Sequence, residues 1–482
     1  MTPPAEPPFV LTLDVGSSSV RALLFDRFAR AVAGPEGRRS YSARTTADGG
    51  YEFDAEELLR FILESVDELL ARAGAAASRI VAVACCTFWH GLLGLDAGGA
   101  PVTPLLMWGD MRSEPEARVL KTRLDEKAYH ARTGCFFHPC FQPPKLLRLS
   151  GQECFRRAAR WVSIGELLTE RLFGRRLTTV SMASGTGLLD VHRCAYDEET
   201  LRAVGVRVDQ LAPLGDATDS SRGLLPEFAR RWPALSDVPW FPPVGDGACN
   251  NLGSGCSTRE RIGVMIGTSG AMRMVWPADR FEVPWGVFAY RADRRRVVLG
   301  GALNDGGNLV EWLRSTLRLG PPEEVERELA AMEPDAHGLT FLPFLAGERS
   351  PGWAAHARGA ITGLSLDTKP VAILRAAMEA VALRFALIHD LLPPAREIVA
   401  SGGALLRSPA WMQILADALG RPVTASAEAE ASSRGAALLA LEALGHEPAP
   451  AALGASVTPD PAHHARYRAA LYRQKDLYGK LV

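Results

Sequence analysis

Two short turns hold the residues best suited to chemistry. Val15-Gly16-Ser17-Ser18-Ser19 lies between apolar runs, and so does Ile266-Gly267-Thr268-Ser269-Gly270, about half of the 482 residues later. Each pattern reads as strand, tight polar turn, strand. Such a turn frees backbone N–H groups and presents hydroxyls, which together make a cradle for phosphate oxygens. Two cradles facing one another across a cleft would hold a nucleoside triphosphate. An arginine follows each turn, Arg21 and Arg273, one position out of register. A third candidate is Asp246, in Val244-Gly245-Asp246-Gly247-Ala248, whose glycine neighbours allow the carboxylate to face a bound ligand closely. The competing reading is an ordinary turn aspartate.

Polar groups also stand just past two apolar runs. Trp89 and His90 follow the run 80–86, and Trp108, Asp110 and Arg112 close the run that begins at Leu105. Ligands of open α/β sheets bind beyond the carboxyl ends of strands. Trp89 and His90 therefore stand at a candidate substrate edge, and Asp110 and Arg112 could bind hydroxyls and a carboxylate. Trp89 and His90 could equally cap the core, and Asp110 and Arg112 could pair with each other. The aromatic, Pro-rich segment 133–149 adds His138, Gln142 and Lys145.

The elements that must carry these groups follow from periodicity. Each turn joins a hairpin. Asp54 can cap a helix beginning near Ala55, with Glu56 and Glu57 in its first turn. The unbroken apolar run 80–86 predicts a buried parallel strand. Helices are predicted over 161–172, 371–392, 436–444 and 467–481, and another from Leu309 through Leu317 after the glycine-rich stretch 300–308. Residues 398–400 form a strand, Ser401-Gly402-Gly403-Ala404 a glycine turn, and Ser408-Pro409 opens a helix that Gly420 stops. Bare backbone in that turn allows a flat adenine or ribose to lie against it.

Composition narrows the class. The chain is 47% hydrophobic and 23% charged with a formal net charge of −1, so charge supplies no case for nucleic acid or an acidic membrane as partner. The N-terminus lacks a secretory pattern, and no run approaches the ~18 apolar residues of a membrane span. The eight cysteines are scattered without zinc spacing, which fits a reduced, cytoplasmic enzyme.

With these residues in place, the chain resembles the FGGY family of carbohydrate kinases over nearly its full length. The family's first phosphate motif stands as Asp14-Val15-Gly16-Ser17-Ser18-Ser19-Val20-Arg21, the second as Gly267-Thr268-Ser269-Gly270, and the adenosine turn as Ser401-Gly402-Gly403-Ala404. Trp89-His90 falls where ketopentose kinases carry a Met-His pair, and Trp108-Gly109-Asp110-Met111-Arg112 looks like the family's Trp-x-Asp-x-Arg. Within the family the likeness is to gluconate kinases, through Thr133-Gly134-Cys135 with His138-Pro139, the stretch 183–188, and 345–351. The chain departs from the family signatures at Arg148, where a Trp is expected, and near Ala372, where a polar residue is expected.

The resemblance implies an α/β protein of two actin-like, ribonuclease-H-like domains from a duplicated unit, with a deep interdomain cleft. Residues 8–247 would bind sugar and carry the first phosphate motif and the base, and 248–482 would bind ATP. Asp246 would be the general base, and Asp14 would orient Mg²⁺ through its waters, with Asp246 also facing the metal. Ser18 and Thr268, with Gly16, Ser17, Ser19, Arg21, Gly267 and Ser269 around them, would hold the phosphates. Gly307, Glu311, Gly402, Gly403, Ala404 and Arg407 match the adenine side. Trp89, His90, Trp108, Asp110, Arg112, His138 and Asp246 would bind the acceptor. The implied reaction is ATP-dependent phosphorylation of the terminal hydroxyl of a sugar or sugar acid, D-gluconate foremost, and a homodimer is allowed. The alternatives are a xylulokinase-like pentulose kinase and an actin-fold ATP-binding switch. A switch has no use for Trp89-His90 or Trp108-x-Asp110-x-Arg112 at strand ends.

Overall fold

The computed structural model describes residues 5–482. Two mixed sheets frame it. In the first, strand Phe9–Val15 pairs antiparallel with Ser19–Phe25, which pairs antiparallel with Ala31–Ser40. On its other side Phe9–Val15 runs parallel to Ile80–Thr87, which runs parallel to Trp240–Gly245. In the second, Arg261–Ile266 pairs antiparallel with Gly270–Pro277, and that strand antiparallel with Arg296–Leu303. On its other side Arg261–Ile266 runs parallel to Glu397–Ser401, and that strand to Val423–Ser426. The same order and directions thus occur twice, as the duplication expected from the two turns requires. The second sheet adds Phe288–Arg291 at one edge and Leu453–Val457 at the other.

Local chemistry accounts for most boundaries. Phe9–Val15 is buried along its whole length, as an apolar strand with partners on both sides should be. Asp54 caps helix Ala55–Ala73 by accepting from the N–H groups of Glu56 and Glu57. The helix expected over 161–172 spans Ile164–Phe173, because Ser163 and Glu166 form a capping box and Trp161 belongs to the short strand Arg160–Val162. Strand Trp240–Gly245 was masked in the sequence by Pro242 and Pro243. It is an edge strand, and its register shifts between Phe241 and Val244, which accommodates two residues that cannot donate.

One element crosses between the halves. Helix Ala431–Ala443, late in the chain, packs on helix Asp246–Gly253 and on the first sheet. Ala436, Ala437 and Ala440 share a core with Val10, Ala82 and Cys86. The crossing is close: a Cβ on Gly435 would lie 1.9 Å from the Cys249 carbonyl oxygen, and one on Gly253 would lie 1.8 Å from that of Ala431. Alanine at either position would overpack the contact, at ~1–3 kcal/mol or more. This helix pair ties the two halves together at the base of the cleft. No helix among the described residues is long and apolar enough to cross a membrane.

Candidate active site

Both turns open into one cavity of about 660 Å³ between the sheets. In the first hairpin Gly16 to Ser19 lie between the paired residues Val15 and Val20; in the second only Gly267 to Ser269 lie between Ile266 and Gly270. Turn carbonyls are bonded to flanking chain. The Gly16 oxygen accepts from the Tyr41 hydroxyl, and those of Ser18 and Ser19 accept from the N–H groups of Tyr41 (2.9 Å) and Gly16 (2.9 Å). The Gly267 and Thr268 oxygens accept from Gly307 (2.8 Å) and Asn308 (3.0 Å). Acceptors are thereby turned aside, while Ser17, Ser18, Ser19, Thr268 and Ser269 line the cavity. Gly402 and Gly403 line it from the strand Glu397–Ser401. Gly402 has φ 92° and a Cβ there would lie 2.4 Å from the Ile266 carbonyl oxygen, so only glycine fits.

Asp14, Asp246 and Glu428 bring carboxylates to this space, the first two beside the turns. Asp14 is the last residue but one of the central strand and accepts from Arg21 Nη2 at 2.6 Å through Oδ2. Arg21 Nη1 reaches Glu430 of the second half at 2.6 Å, and Arg38 joins Glu430 at 3.1 Å. Burial raises the Asp14 carboxyl above its ordinary value, against the pull of Arg21. Asp246 is the first residue of helix Asp246–Gly253, directly after Trp240–Gly245. Its Oδ1 accepts from the Gly247 N–H at 2.7 Å. Burial, and then the negative charge of Asp14, push its carboxyl up to about 6. The turn reading of Asp246 is therefore replaced by a helix start whose side chain faces a cavity.

The acceptor end of the cavity is aromatic and cationic. Trp89 is a core residue with one edge on the cavity. Its Nε1 donates to the Ser181 carbonyl at 2.9 Å, and a Cβ on Gly245 would lie 1.9 Å from its ring. The glycine before Asp246 is required by that indole. His90 Nδ1 hydrogen-bonds the Gly185 carbonyl, and burial pulls its imidazole down to about 3, so the ring is neutral. Trp108 lines the cavity under the Arg349 guanidinium, 5.0 Å from its ring centroid. Arg273 lies on the cavity wall, where a Cβ on Gly247 would be 2.9 Å from its Cζ.

Several expected acceptor residues lie elsewhere. Arg112 is bonded to Asp110 and, at 2.6 Å, to Glu52, and neither Asp110 nor Arg112 lines the cavity. His138 faces an adjoining cavity of about 560 Å³ that shares Trp108, Gly109, Asn304 and Ala346 with the first. Its Nδ1 accepts from the Cys140 N–H at 3.2 Å and its Nε2 meets the Glu348 carbonyl at 3.1 Å. Lys145 is buried and donates to the carbonyls of Met107 (2.6 Å), Cys140 (3.1 Å) and His90 (3.4 Å), which ties the acceptor loops together from beneath. At the nucleotide end, Gly307 and Ala404 lie side by side behind the turns, a Cβ on Gly307 being 2.7 Å from that of Ala404. Arg407 folds against Gly403, while Glu311 is exposed on the helix Gly307–Thr316. Sequence reasoning missed Arg349 and Asn304 as cavity residues and saw Arg273 only as a residue after a turn.

The donor set fits a magnesium ion. Asp14 Oδ1 and Asp246 Oδ2 are left free by Arg21 and Gly247, and the hydroxyls around them are hard oxygens, as an ion that keeps several waters prefers.

Comparison with known proteins agrees with this geometry. Residues 9–253 match the N-terminal domain model of the FGGY family of carbohydrate kinases, and residues 263–444 match the C-terminal domain model. A gluconokinase from Bacillus subtilis strain 168 is 29% identical over 455 residues, covering 91% of this chain and 88% of that protein. A crystal structure of a gluconate kinase from Lactobacillus acidophilus superposes with a TM-score of 0.90 at 26% identity, covering 98% of both chains. A ligand-bound xylulose kinase from the same organism also gives 0.90 at 26% identity, with the same coverage.

Proposed function

We propose, for a chain that belongs to the FGGY family of carbohydrate kinases, that the acceptor is a sugar acid, D-gluconate, phosphorylated on its terminal hydroxyl to 6-phosphogluconate. As a family member the chain is an ATP-dependent sugar kinase. The observation that carries the mechanism is the placement of the Asp246 carboxylate in the cavity into which both turns open. The gluconokinase relative and the gluconate kinase structure favour gluconate as the acceptor.

Residues 8–247 act as the sugar-binding unit and 248–482 as the ATP-binding unit. The hydroxyls of Ser17, Ser18, Ser19, Thr268 and Ser269, with the N–H groups that the two turns leave free, hold the β- and γ-phosphates and stabilise the charge that develops on them. Asp14 and Asp246 would hold Mg²⁺, which would shield the phosphate charge. Trp89, Trp108 and neutral His90 shape the acceptor pocket, and Gly307, Gly402, Gly403 and Ala404 form the adenosine side. The substrate's terminal oxygen attacks the γ-phosphorus, the bond from that phosphorus to the β,γ-bridging oxygen breaks, and the hydroxyl proton passes to Asp246. ADP leaves with the bridging oxygen. A free hydroxyl is a weak acid, so in-line placement is the larger contribution and the proton moves late. The eight free cysteines fit a reducing, cytoplasmic location.

The test is a substrate panel read by ADP release. Gluconate should be turned over best. Good turnover of xylulose with none of gluconate would instead make this a pentulose kinase.

A further inference from the structure

The acceptor end contains two guanidiniums without a contact ion pair, although the charge of Asp246 acts on Arg273 and that of Asp305 on Arg349. Arg273 and Arg349 both line the cavity, and neither has an ion-pair partner among the described residues. The Nε of each is buried without a hydrogen-bond partner. Both residues are half-buried on the cavity wall, so water can carry their charge until a ligand displaces it, and a carboxylate that did so would form a charge-assisted pair. Nearby cations differ in having partners for their charge, although the Arg21 Nε is also unbonded. Arg112 has Asp110 and Glu52, Lys145 has three carbonyls, and Arg21 has Asp14 and Glu430.

Arg349 is also held from behind. Glu348, its neighbour, is paired with buried Arg384 and accepts from the Tyr478 hydroxyl at 2.6 Å. Arg349 Nη2 donates to the Leu303 carbonyl at 2.8 Å, and its plane lies over Trp108. Arg273 is fixed by its strand, where its carbonyl accepts from Asn251 Nδ2 at 2.9 Å. Arg349 is thereby preorganised, while the Arg273 side chain lines the cavity wall with no hydrogen bond of its own among the described residues. Burial draws the Arg273 guanidinium down to about 10, which leaves it charged at neutral pH.

We infer that Arg273 and Arg349 form the carboxylate subsite of the acceptor pocket and make the kinase selective for sugar acids over neutral polyols of the same length. The inference rests on the sugar-acid reading above and assigns that reading to two residues. Arg112, His138 and Lys145, the cations that the sequence offered for this role, are excluded by their own hydrogen bonds.

The experiment is nucleotide-free binding of D-gluconate and of D-glucitol, its neutral analogue, followed by tryptophan fluorescence or calorimetry. The proteins are the wild type, Arg273→Gln, Arg349→Gln and Arg349→Lys. Each Gln variant should weaken gluconate binding about 30-fold or more, as loss of a desolvated charge pair does, and shift glucitol by less than about 3-fold. Arg349→Lys should recover part of the gluconate affinity. Equal losses for both ligands, or no loss for gluconate, would overturn the inference. Arg349→Lys and Arg273→Gln keep the test open if Arg349→Gln does not fold. Wild type that binds xylulose and not gluconate would defeat the functional reading itself, a result distinct from either.

Discussion

The two hairpins share a fold and differ in chemistry. In the first, Asp14 stands opposite Arg21 across the ladder, and the two are bonded. In the second, Met265 occupies the place of Asp14 and stands opposite Ala271. The second turn is one residue tighter and its arginine lies one residue farther along the chain, so Arg273 falls two ladder positions beyond the place of Arg21, opposite Gly263. A Cβ on Gly263 would meet Asn251, so no acidic partner fits there. Duplication thus produced one hairpin whose arginine is neutralised and whose carboxylate lines the cavity. The other has no carboxylate, and its arginine is free for a ligand. The lesson is that a repeated scaffold specialises through single positions and through turn length, while its backbone donors keep the same task.

Attacks on the asymmetry rank by expected effect. Asp246→Asn removes the proton acceptor and should lower kcat ~10²- to 10⁴-fold with ATP binding largely retained; near-full activity would show that Asp246 is not the base. Met265→Asp would place a second carboxylate beside the second cradle, where it repels the triphosphate. The KM for ATP should rise more than 10-fold, a change of about 1.4 kcal/mol, and an unchanged KM would place the phosphates elsewhere. Gly402→Ala forces a left-handed residue against Ile266, and should lower stability by ~1–3 kcal/mol as well as ATP affinity, read by thermal melting with and without nucleotide.

Titration comes next. The base must be ionised to accept a proton, and burial with the charge of Asp14 pushes its carboxyl up to about 6 in the unliganded protein. The kcat/KM for the acceptor, which reports the free enzyme, should therefore rise as pH increases through about 6 and level off above it, with the rise missing in Asp246→Asn. A flat profile from pH 5 to 8 in the wild type would contradict the assignment. The smallest effect should come from Glu430→Gln. Its carboxylate is partly exposed and joins Arg21 and Arg38 across the cleft, so its loss should cost ~1 kcal/mol or less in stability. It should also alter the Mg²⁺ dependence through Arg21, and an unaltered dependence would separate Glu430 from the Asp14 site.

Much of this was legible along the chain, for a physical reason. The turns, the glycines around Asp246 and Ser401-Gly402-Gly403 are local patterns whose backbone demands show in neighbouring residues. What could not be read depends on contacts between distant positions. Arg112 looked available because Glu52, 60 residues away, is invisible in its local sequence. Arg273 and Arg349 looked ordinary because having no partner is a property of the folded surroundings. Strand Trp240–Gly245 was hidden by prolines that only an edge position tolerates. Helix Ala431–Ala443 begins earlier than its apolar pattern, because Ala431 and Gly435 face another helix where small size matters more than hydrophobicity.

The most direct measurement is a crystal structure with D-gluconate and an unreactive ATP analogue. The β- and γ-phosphates should lie between Gly16–Ser19 and Gly267–Ser269, with the substrate's terminal hydroxyl about 3 Å from the Asp246 carboxylate. A triphosphate bound outside both turns, or a terminal hydroxyl turned away from Asp246, would contradict the account.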